Sequence, residues 1–310
     1  MLRLDGVSKI YRVGAFGGRR LTAVREVSFE LRPGEVVSLI GESGSGKTTI
    51  GRMILRLTSA SGGAITFNGD DIGALEGRRL KEYRRSVQGV FQDPFSSYNP
   101  VFKADRIFGM LRTNFFPGVP EAEWRHRVED ALVSVRLHPD AVLNRYPHQL
   151  SGGQLQRLLI ARALLLDIKL LVADEIISML DASTRIDVLN LLGDLKERGL
   201  AILFITHDLA LGNYISDQTV ILRRGRIVES GVTDRVFTNP LHPYTRQLLT
   251  SVPQLHKKWS DVDTELAVSP GRCAYHTQGG TTDGRQLAEA EPDHLVACPA
   301  AGENTTCPDG

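Results

Sequence analysis

One strand–loop–helix segment constrains the fold more than any other part of this 310-residue chain. Val36–Ile40 is an almost continuous apolar run, as expected for a strand buried on both faces of a sheet. A glycine-rich loop follows, and helical spacing begins directly after it. This order fits the pattern G-x-x-x-x-G-K-[ST], in which backbone N–H groups form a nest around phosphate oxygens. The sequence therefore predicts a phosphate-binding loop that consists of Gly41, Glu42, Ser43, Gly44, Ser45, Gly46, Lys47, Thr48 and Thr49.

Two side chains of this loop have a specific chemical role in such sites. Lys47 supplies a positive charge for the β- and γ-phosphates, and the Thr48 hydroxyl supplies a ligand for Mg²⁺. The helix that begins here adds the positive end of its dipole. The loop thus predicts a nucleotide site with Mg²⁺.

Polar side chains also end two further apolar strands. Leu170–Ala173 runs into Asp174 and Glu175, and Ala201–Thr206 runs into His207. Ligands of open α/β sheets gather at the carboxyl ends of the strands, so we expect these side chains beside the phosphates. Asp174 can hold the magnesium shell, whereas the Glu175 carboxylate can polarise an attacking water.

Two other segments offer groups to a nucleotide. Gln92 follows a short apolar strand, and its amide oxygen can face a metal or a water. Leu150–Gln154 opens a long helical pattern, in which Ser151 is a good N-cap and two glycines expose N–H groups. One nucleotide rarely needs two such helix ends from one protomer. The second end is therefore expected to serve a nucleotide bound by a partner.

Charge and cysteine are unevenly distributed along the chain. Lysine and arginine (37) nearly balance aspartate and glutamate (36), and this balance speaks against a bulk nucleic-acid binder. Residues 251–310, however, contain four basic and nine acidic residues together with all three cysteines. Composition therefore predicts a domain boundary near residue 250. No apolar run reaches 18 residues, and the N-terminus lacks the apolar stretch of a secretory signal.

The order of these motifs resembles the nucleotide-binding subunit of an ATP-binding cassette (ABC) transporter. Leu150–Gln154 reads L-S-G-G-Q, the signature of that family, and it lies between Gln92 and the Asp174–Glu175 pair as in the family. The resemblance covers about residues 1–250. It implies an α/β fold of the P-loop NTPase type, with a RecA-like core, an antiparallel β part and a helical subdomain at about 94–147. Residues 251–310 would form a small C-terminal extension.

The resemblance also implies roles for individual residues in binding and hydrolysing ATP with Mg²⁺. Tyr11 would stack on adenine, Gln92 would sense the metal and water, Glu175 would be the general base and His207 would contact the γ-phosphate. Thr48, Gln92 and Asp174 would surround the magnesium ion. The residues that would face the nucleotide of the opposite subunit are Ser151, Gly152, Gly153, Gln154 and Asp181.

Finer features are similar to the oligopeptide, dipeptide and nickel importers. These are the segments Gln92–Pro94, Asn99–Pro100 and Asn239–Thr245. The resemblance implies import powered by closure of two cassettes, with a second ATPase subunit that is a paralogue of this chain. It further implies two permease subunits, an extracytoplasmic solute-binding protein and a place on the cytoplasmic face of the plasma membrane. Oligopeptides or dipeptides are the expected solutes, and oligosaccharides or nickel are the alternatives.

Other classes of ABC protein are less compatible with the sequence. A DNA-repair ATPase would need a long coiled-coil insert, a translation factor usually has two cassettes, and an inactive regulatory cassette would not keep Lys47, Glu175 and His207. One departure from the family is the run Ile176–Asp181, where P-T-S-A-L-D is usual. Because the charged residues remain, we still expect ATPase activity.

The cysteines resemble a degraded form of a tail that holds an iron–sulfur cluster in some importers. Gly279 stands where the second cysteine is expected, so the matching positions do not supply four thiolates. We expect reduced thiols without a metal. A zinc site is the alternative, and its spacing-compatible ligands would be Cys273, His276, His294, Cys298 and Cys307.

Overall fold

The computed structural model describes residues 1–13, 18–250 and 287–297. Within these ranges the chain forms two β-sheets and ten α-helices, with short 3₁₀ turns between them. The strands are β1 (Leu2–Val13), β2 (Arg19–Leu31), β3 (Val36–Ile40), β4 (Gly62–Phe67), β5 (Asp70–Asp71), β6 (Val87–Val90), β7 (Leu170–Asp174), β8 (Ala201–Thr206), β9 (Gln218–Arg223), β10 (Arg226–Val232), β11 (Ala288–Glu291) and β12 (His294–Val296).

The helices alternate with the strands over much of the chain, as in other α/β folds. They are α1 (Lys47–Ile54), α2 (Gly77–Ser86), α3 (Arg106–Phe115), α4 (Glu121–Ser134), α5 (Pro139–Val142), α6 (Gly152–Leu164), α7 (Ala182–Glu197), α8 (Leu209–Ile215), α9 (Thr233–Thr238) and α10 (Pro243–Thr250). Among the described residues, no helix is long and apolar enough to cross a membrane.

The larger sheet has eight strands in the order β11-β12-β10-β9-β3-β8-β7-β6. The five strands from β9 to β6 are parallel to their neighbours, whereas β10, β12 and β11 add antiparallel pairs at one end. Every residue of β3, β7 and β8 is buried, which explains their continuous apolar sequences. These three strands lie where the sequence predicts them.

The smaller sheet is antiparallel, in the order β2-β1-β4-β5. Its apolar face packs on one side of the parallel strands, and this core includes Leu2, Leu4, Val27, Ile50 and Leu203. The antiparallel β part expected from the resemblance is therefore present.

Helices α3, α4 and α5 fall within residues 94–147. Helices α3 and α4 pack against α6, and α5 packs against α4. Trp124, Val128 and Leu132 form the buried stripe of α4, and they join a core that includes Leu155 and Leu159 of α6. Trp124 is only 5% exposed and belongs to this core. The spacing of these side chains at four-residue steps is typical of a helix with one buried face.

Part of the C-terminal extension adds to the larger sheet. Strands β11 and β12 form a hairpin, and β12 pairs with β10 from Glu229 opposite Val296 to Gly231 opposite His294. Cys273, Cys298 and Cys307, like His276, lie outside the described residues. The domain boundary near residue 250 remains a prediction.

Candidate active site

The parallel strands bring the predicted site residues to one edge of the larger sheet. Ile40 of β3 lies opposite Thr206 of β8, Asp174 of β7 lies opposite Ile205, and Val90 of β6 lies opposite Ala173. All four strands point the same way, so the residues that follow them emerge together. We call this side the strand edge. It gathers the glycine-rich loop, His207, the Asp174–Glu175 pair and Gln92.

The glycine-rich loop has the backbone geometry that phosphate binding requires. Gly46 has a φ of 106° and precedes α1 without any side-chain cap, so no capping side chain occupies the first amides of this helix. A Cβ on Gly46 would lie 2.5 Å from the Ala23 carbonyl oxygen, and one on Gly41 would lie 2.2 Å from that of Leu222. Larger residues at these two positions would push the loop away from the sheet.

Lys47 is buried within the loop, with 4% of its surface exposed. Its Nζ donates to the carbonyl oxygens of Gly41 (2.7 Å) and Glu42 (2.9 Å). Burial lowers the pKa of Lys47, and the nearby carboxylates of Glu175, Asp174 and Glu42 act in the opposite direction. A buried cation that bonds only to neutral carbonyls can gain free energy from an anionic ligand.

Thr48 and Asp174 lie together beside this lysine. The Thr48 hydroxyl donates to Asp174 Oδ1 over 3.3 Å. Burial is the main cause that raises the pKa of Asp174, against the hydrogen bond from Thr48. Gln92 follows β6 at the same strand edge, two residues beyond Val90. A hydroxyl, a carboxylate and an amide are oxygen donors of the kind that Mg²⁺ prefers, so these three residues fit the expected magnesium site.

Glu175 and His207 meet directly, across strands β7 and β8. His207 Nδ1 lies 3.3 Å from Glu175 Oε1, and the two side chains are 58% and 20% exposed respectively. Glu175 has a φ of 51°, in the left-handed region that is uncommon for residues other than glycine. Its amide donates to the Ile205 carbonyl, which holds this turn of the backbone against β8. The carboxylate is thus fixed at the strand edge and still reaches solvent.

The signature segment forms the N-terminus of α6. Ser151 Oγ accepts from the Gln154 amide (3.2 Å), and Gln154 Oε1 accepts from the Ser151 amide (2.9 Å). This reciprocal pair is a capping box, and it leaves the amides of Gly152 and Gly153 without helical partners. The Ser151 N-cap predicted from the sequence is confirmed. Among the described residues, no hydrogen bond or ion pair joins this segment to the glycine-rich loop of the same chain.

Several hydrogen bonds tie α6 to the segment around Gln92. The Tyr98 hydroxyl donates to the Leu155 carbonyl (3.2 Å), and Gln156 Nε2 donates to the Phe91 carbonyl (3.4 Å). Arg162 donates to the Gly89 carbonyl in β6 (3.1 Å). The signature helix and the strand before Gln92 are therefore held as one unit.

Asp181 caps a different helix, α7. Its carboxylate accepts from the Thr184 amide (3.0 Å) and from the hydroxyls of Ser183 and Thr184. These hydrogen bonds lower the pKa of Asp181 well below its usual range. Ile176 and Ile177, which replace the usual proline and threonine, are 1% and 2% exposed. The unusual run is thus anchored in the core.

Tyr11 lies on β1 in the smaller sheet, apart from the strand edge in the topology of the fold. The Nζ of Lys9 stands 5.1 Å from the centroid of its ring. Lys9 itself donates to the Ser59 carbonyl (2.6 Å), so the ring rests beside a fixed cation. The proposed stacking of Tyr11 on adenine stays a prediction.

Sequence reasoning missed one residue at the glycine-rich loop. The Tyr244 hydroxyl accepts a hydrogen bond from the Glu42 amide over 3.2 Å, although 202 residues separate the two in the chain. The tyrosine belongs to the segment Asn239–Thr245, which the sequence had singled out only for its similarity to importers. No local sequence pattern records this contact, although a buried tyrosine hydroxyl such as this one usually has a hydrogen-bond partner.

Comparison with known proteins identifies the family. Residues 24–178 match the ABC transporter family, and a putative peptide import ATP-binding protein of Brucella ovis is 41% identical over 315 residues. That alignment covers 96% of this chain and 97% of the relative. The chain belongs to the ABC transporter family.

Two further comparisons refine the place of this ABC cassette. Residues 228–279 match the C-terminal region of oligopeptide/dipeptide transporters. The glutathione import ATP-binding protein GsiA of Escherichia coli strain K12 is 42% identical over 289 residues, which cover 91% of this chain and 45% of that longer protein.

Solved ABC cassettes share the fold. MJ0796, solved as a dimer in a post-hydrolysis state bound to ADP and Pi, has a TM-score of 0.67 and 28% identity, covering 75% of this chain and 99% of that chain. CbiO1 of Clostridium perfringens, part of the transporter complex cbiONQ, has a TM-score of 0.66 and 25% identity. The match covers 77% of this chain and 90% of CbiO1. The predicted α/β P-loop fold is confirmed, and the chain is an ABC ATPase that binds and hydrolyses ATP.

Proposed function

We propose that this ABC ATPase powers the import of oligopeptides or dipeptides through a membrane permease. The observation that carries the proposal is the match of residues 228–279 to the C-terminal region of oligopeptide/dipeptide transporters. The names of the relatives, which are import ATP-binding proteins for peptides and for glutathione, support the same class of solute.

The geometry of the strand edge supports a division of labour in ATP binding. The amides at the start of α1 and the Lys47 ammonium would hold the β- and γ-phosphates, and Lys47 would exchange its two carbonyl partners for phosphate oxygens. Thr48, Asp174 and Gln92 would hold Mg²⁺, which neutralises charge on the phosphates when bound. Tyr11 would stack on adenine.

Hydrolysis would depend on the Glu175–His207 pair. The Glu175 carboxylate would take a proton from water as the water oxygen attacks the γ-phosphorus and the bond to the ADP oxygen breaks. His207, 3.3 Å from Glu175, would orient this carboxylate and contact the γ-phosphate. The fixed backbone of Glu175 favours this role because a general base needs a defined position.

The second half of each nucleotide site would come from a partner cassette. The capping box leaves the amides of Gly152 and Gly153 without hydrogen-bond partners in the helix. These amides, together with Ser151 and Gln154, would bind the γ-phosphate that the opposite subunit holds. Asp181 would lie at the same interface. The partner would be a second ABC ATPase, a paralogue of this chain, and the dimeric form of MJ0796 supports the pairing of two cassettes.

The permease would dock on the surface that follows Gln92. Four apolar side chains of this segment are well exposed: Phe95 (47%), Val101 (73%), Phe102 (42%) and Met110 (55%). Exposed apolar residues in one segment are typical of protein contact surfaces. Because hydrogen bonds tie α6 to Gly89 of β6 and to Phe91 directly after it, closure at the signature would move this surface. The cassette would then act at the cytoplasmic face of the plasma membrane, with two permease subunits and a solute-binding protein.

The catalytic assignment is tested by Glu175→Gln in the assembled transporter. The variant should bind ATP with unchanged affinity, because the amide keeps the shape of the side chain. Its turnover should fall by at least about 100-fold, since the base is lost. Hydrolysis at the wild-type rate would refute the assignment of Glu175 as the base.

The solute is tested in proteoliposomes that contain the cassettes, the permease subunits and the solute-binding protein. Uptake of a labelled oligopeptide or dipeptide should require ATP on the cassette side, and unlabelled peptide should compete with it. Uptake of an oligosaccharide or of nickel with no peptide competition would overturn the proposed solute class. The Glu175→Gln assembly serves as the control for uptake that does not depend on hydrolysis.

A further inference from the structure

A hydrogen bond connects the C-terminal part of the cassette to the glycine-rich loop. The Tyr244 hydroxyl accepts from the Glu42 amide (3.2 Å), while the Glu42 carbonyl accepts from Lys47 Nζ (2.9 Å). The backbone of Glu42 is therefore held from both sides. Its amide is held by Tyr244, and its carbonyl is held by the lysine that awaits the phosphates.

The neighbouring backbone adds one hydrogen bond to this residue, from the Ser45 amide to the Glu42 carbonyl (3.2 Å). Glu42 and Gly44 are exposed, and Gly44 has a φ of 80°. A glycine-rich loop of this kind has many accessible conformations, only some of which direct their amides at a phosphate. A fixed acceptor for the Glu42 amide reduces that freedom.

Tyr244 is itself rigidly placed. It is 3% exposed, and the Arg223 guanidinium lies 4.8 Å from the centroid of its ring. The Tyr244 amide donates to His242 Nδ1 (3.0 Å). Burial raises the pKa of Tyr244, so its hydroxyl stays neutral at physiological pH.

The segment before Tyr244 is held by a fully buried carboxylate. Glu229 on β10 accepts from the amides of Leu241 (2.8 Å) and His242 (2.9 Å), and His294 Nε2 on β12 lies 2.8 Å from its Oε1. Glu229 and His294 are both 0% exposed. We call the four side chains of Glu229, His242, Tyr244 and His294 the C-terminal junction.

We propose that Tyr244 is a positioning residue for the glycine-rich loop, and that the β11–β12 hairpin sets ATP affinity through the C-terminal junction. The hairpin contributes His294, which completes the partners of Glu229. Glu229 holds the two amides before Tyr244, and Tyr244 holds Glu42. A structural change in the hairpin is thus transmitted to the nucleotide site through four consecutive contacts.

The expected size of the effect follows from population arithmetic. If the loop loses one hydrogen bond and occupies its binding-competent conformation less often, the apparent dissociation constant rises in inverse proportion. One neutral hydrogen bond corresponds to about a three- to tenfold change. The inference concerns ATP affinity of the single chain, so it does not depend on which solute is imported.

The first test is Tyr244→Phe in the full chain, with Tyr214→Phe as the matched control. Tyr214 also makes one hydroxyl hydrogen bond, to Asn190 Oδ1 (2.8 Å), but between α7 and α8. ATP dissociation constants are measured by equilibrium dialysis at a temperature where all variants are fully folded. Tyr244→Phe should weaken ATP binding about three- to tenfold, and Tyr214→Phe should leave it within twofold. Equal affinities for Tyr244→Phe and wild type would overturn the proposal.

The second test concerns the hairpin. His294→Leu removes the hydrogen bond to Glu229, whereas His294→Gln offers an amide N–H in a similar place. The leucine variant should weaken ATP binding, and the glutamine variant should restore at least half of the loss on a logarithmic scale. In the assembled transporter the same variants should raise KM for ATP and leave kcat within twofold. Wild-type affinity in His294→Leu would remove the hairpin from the proposal, and a fall in kcat alone would contradict a positioning role.

Discussion

Lys47 and Glu229 are both buried charged residues, and their surroundings differ in one respect. At the strand edge, Lys47 bonds to two neutral carbonyls, and burial lowers its pKa. At the C-terminal junction, Glu229 accepts from two amides and from His294, all within the chain. The first charge gains from an added ligand, whereas the second already has its partners. A buried charge without a charged partner, such as Lys47, marks a binding site. A buried charge whose partners lie within the chain, such as Glu229, stabilises the surrounding structure.

The comparison extends to the helices at the two places. Helix α1 begins directly after Gly46 with no side-chain cap, so its free amides remain available to phosphate. Helix α10 begins next to His242, where Nδ1 accepts from the Tyr244 amide. N-terminal amides are therefore available to a ligand at α1, whereas at α10 the Tyr244 amide already has a side-chain acceptor.

The largest expected effect comes from removing the charge of Lys47. Lys47→Met should weaken ATP binding by roughly 100-fold, because hydrogen bonds from a cation to phosphate oxygens are lost. Stability should not fall, since the variant also removes the cost of burying the ammonium. Isothermal titration with ATP and urea unfolding check the two statements. Lys196→Met, which breaks an ion pair with Asp217 away from the loop, is the control and should keep its ATP affinity.

Removal of the Glu229 carboxylate should act mainly on the stability of the fold. Glu229→Ala leaves two buried amides and His294 without their partner, and it should lower the free energy of unfolding by about 3–5 kcal/mol. Urea unfolding followed by circular dichroism measures this change. Asp194→Ala, which removes an exposed partner of Arg136, should cost less than about 1 kcal/mol. Similar losses of unfolding free energy in Glu229→Ala and Asp194→Ala would show that Glu229 stabilises the fold no more than a surface ion pair does.

The junction also predicts a dependence of stability on pH. Burial, with a smaller contribution from the charge of Arg223, lowers the pKa of His242 from 6.5 to about 4. Between these values the unfolded chain binds a proton that the folded chain does not, so stability falls as the pH falls through this window. The loss should reach up to about 3 kcal/mol at pH 4.

The variant His242→Asn isolates this effect, because its amide oxygen can still accept from the Tyr244 amide. The difference in unfolding free energy between wild type and variant should be constant well above pH 6.5 and should shift in favour of the variant as the pH falls below this value. Parallel curves for the two proteins down to pH 4 would exclude His242 as the titrating group.

The strand edge was largely predictable because its signals are local. The apolar runs of β3, β7 and β8 end directly at the glycine-rich loop, at Asp174 and at His207. Parallel strands bring such residues together at one edge. The Ser151 cap was predictable for the same reason, since its partner Gln154 is three residues away.

The junction was not predictable, because its contacts join distant parts of the chain. Tyr244 and Glu42 are 202 residues apart, and Glu229 and His294 are 65 apart, so no short pattern records either pair. His294 illustrates the consequence. Its spacing to Cys298 allowed a zinc ligand, whereas its Nε2 lies 2.8 Å from the Glu229 carboxylate in the fold.

Hydrogen exchange of the full chain, measured with and without ATP and Mg²⁺, tests most directly whether the nucleotide binds at the strand edge around Lys47. The strongest added protection should fall on the amides of residues 41–49, with a much smaller change at 241–244 and 294–296, where the partners are already in place. Protection confined to the junction, or equal at both places, would contradict the claim that the nucleotide binds at the strand edge, where Lys47 bonds to neutral carbonyls, and not at the junction.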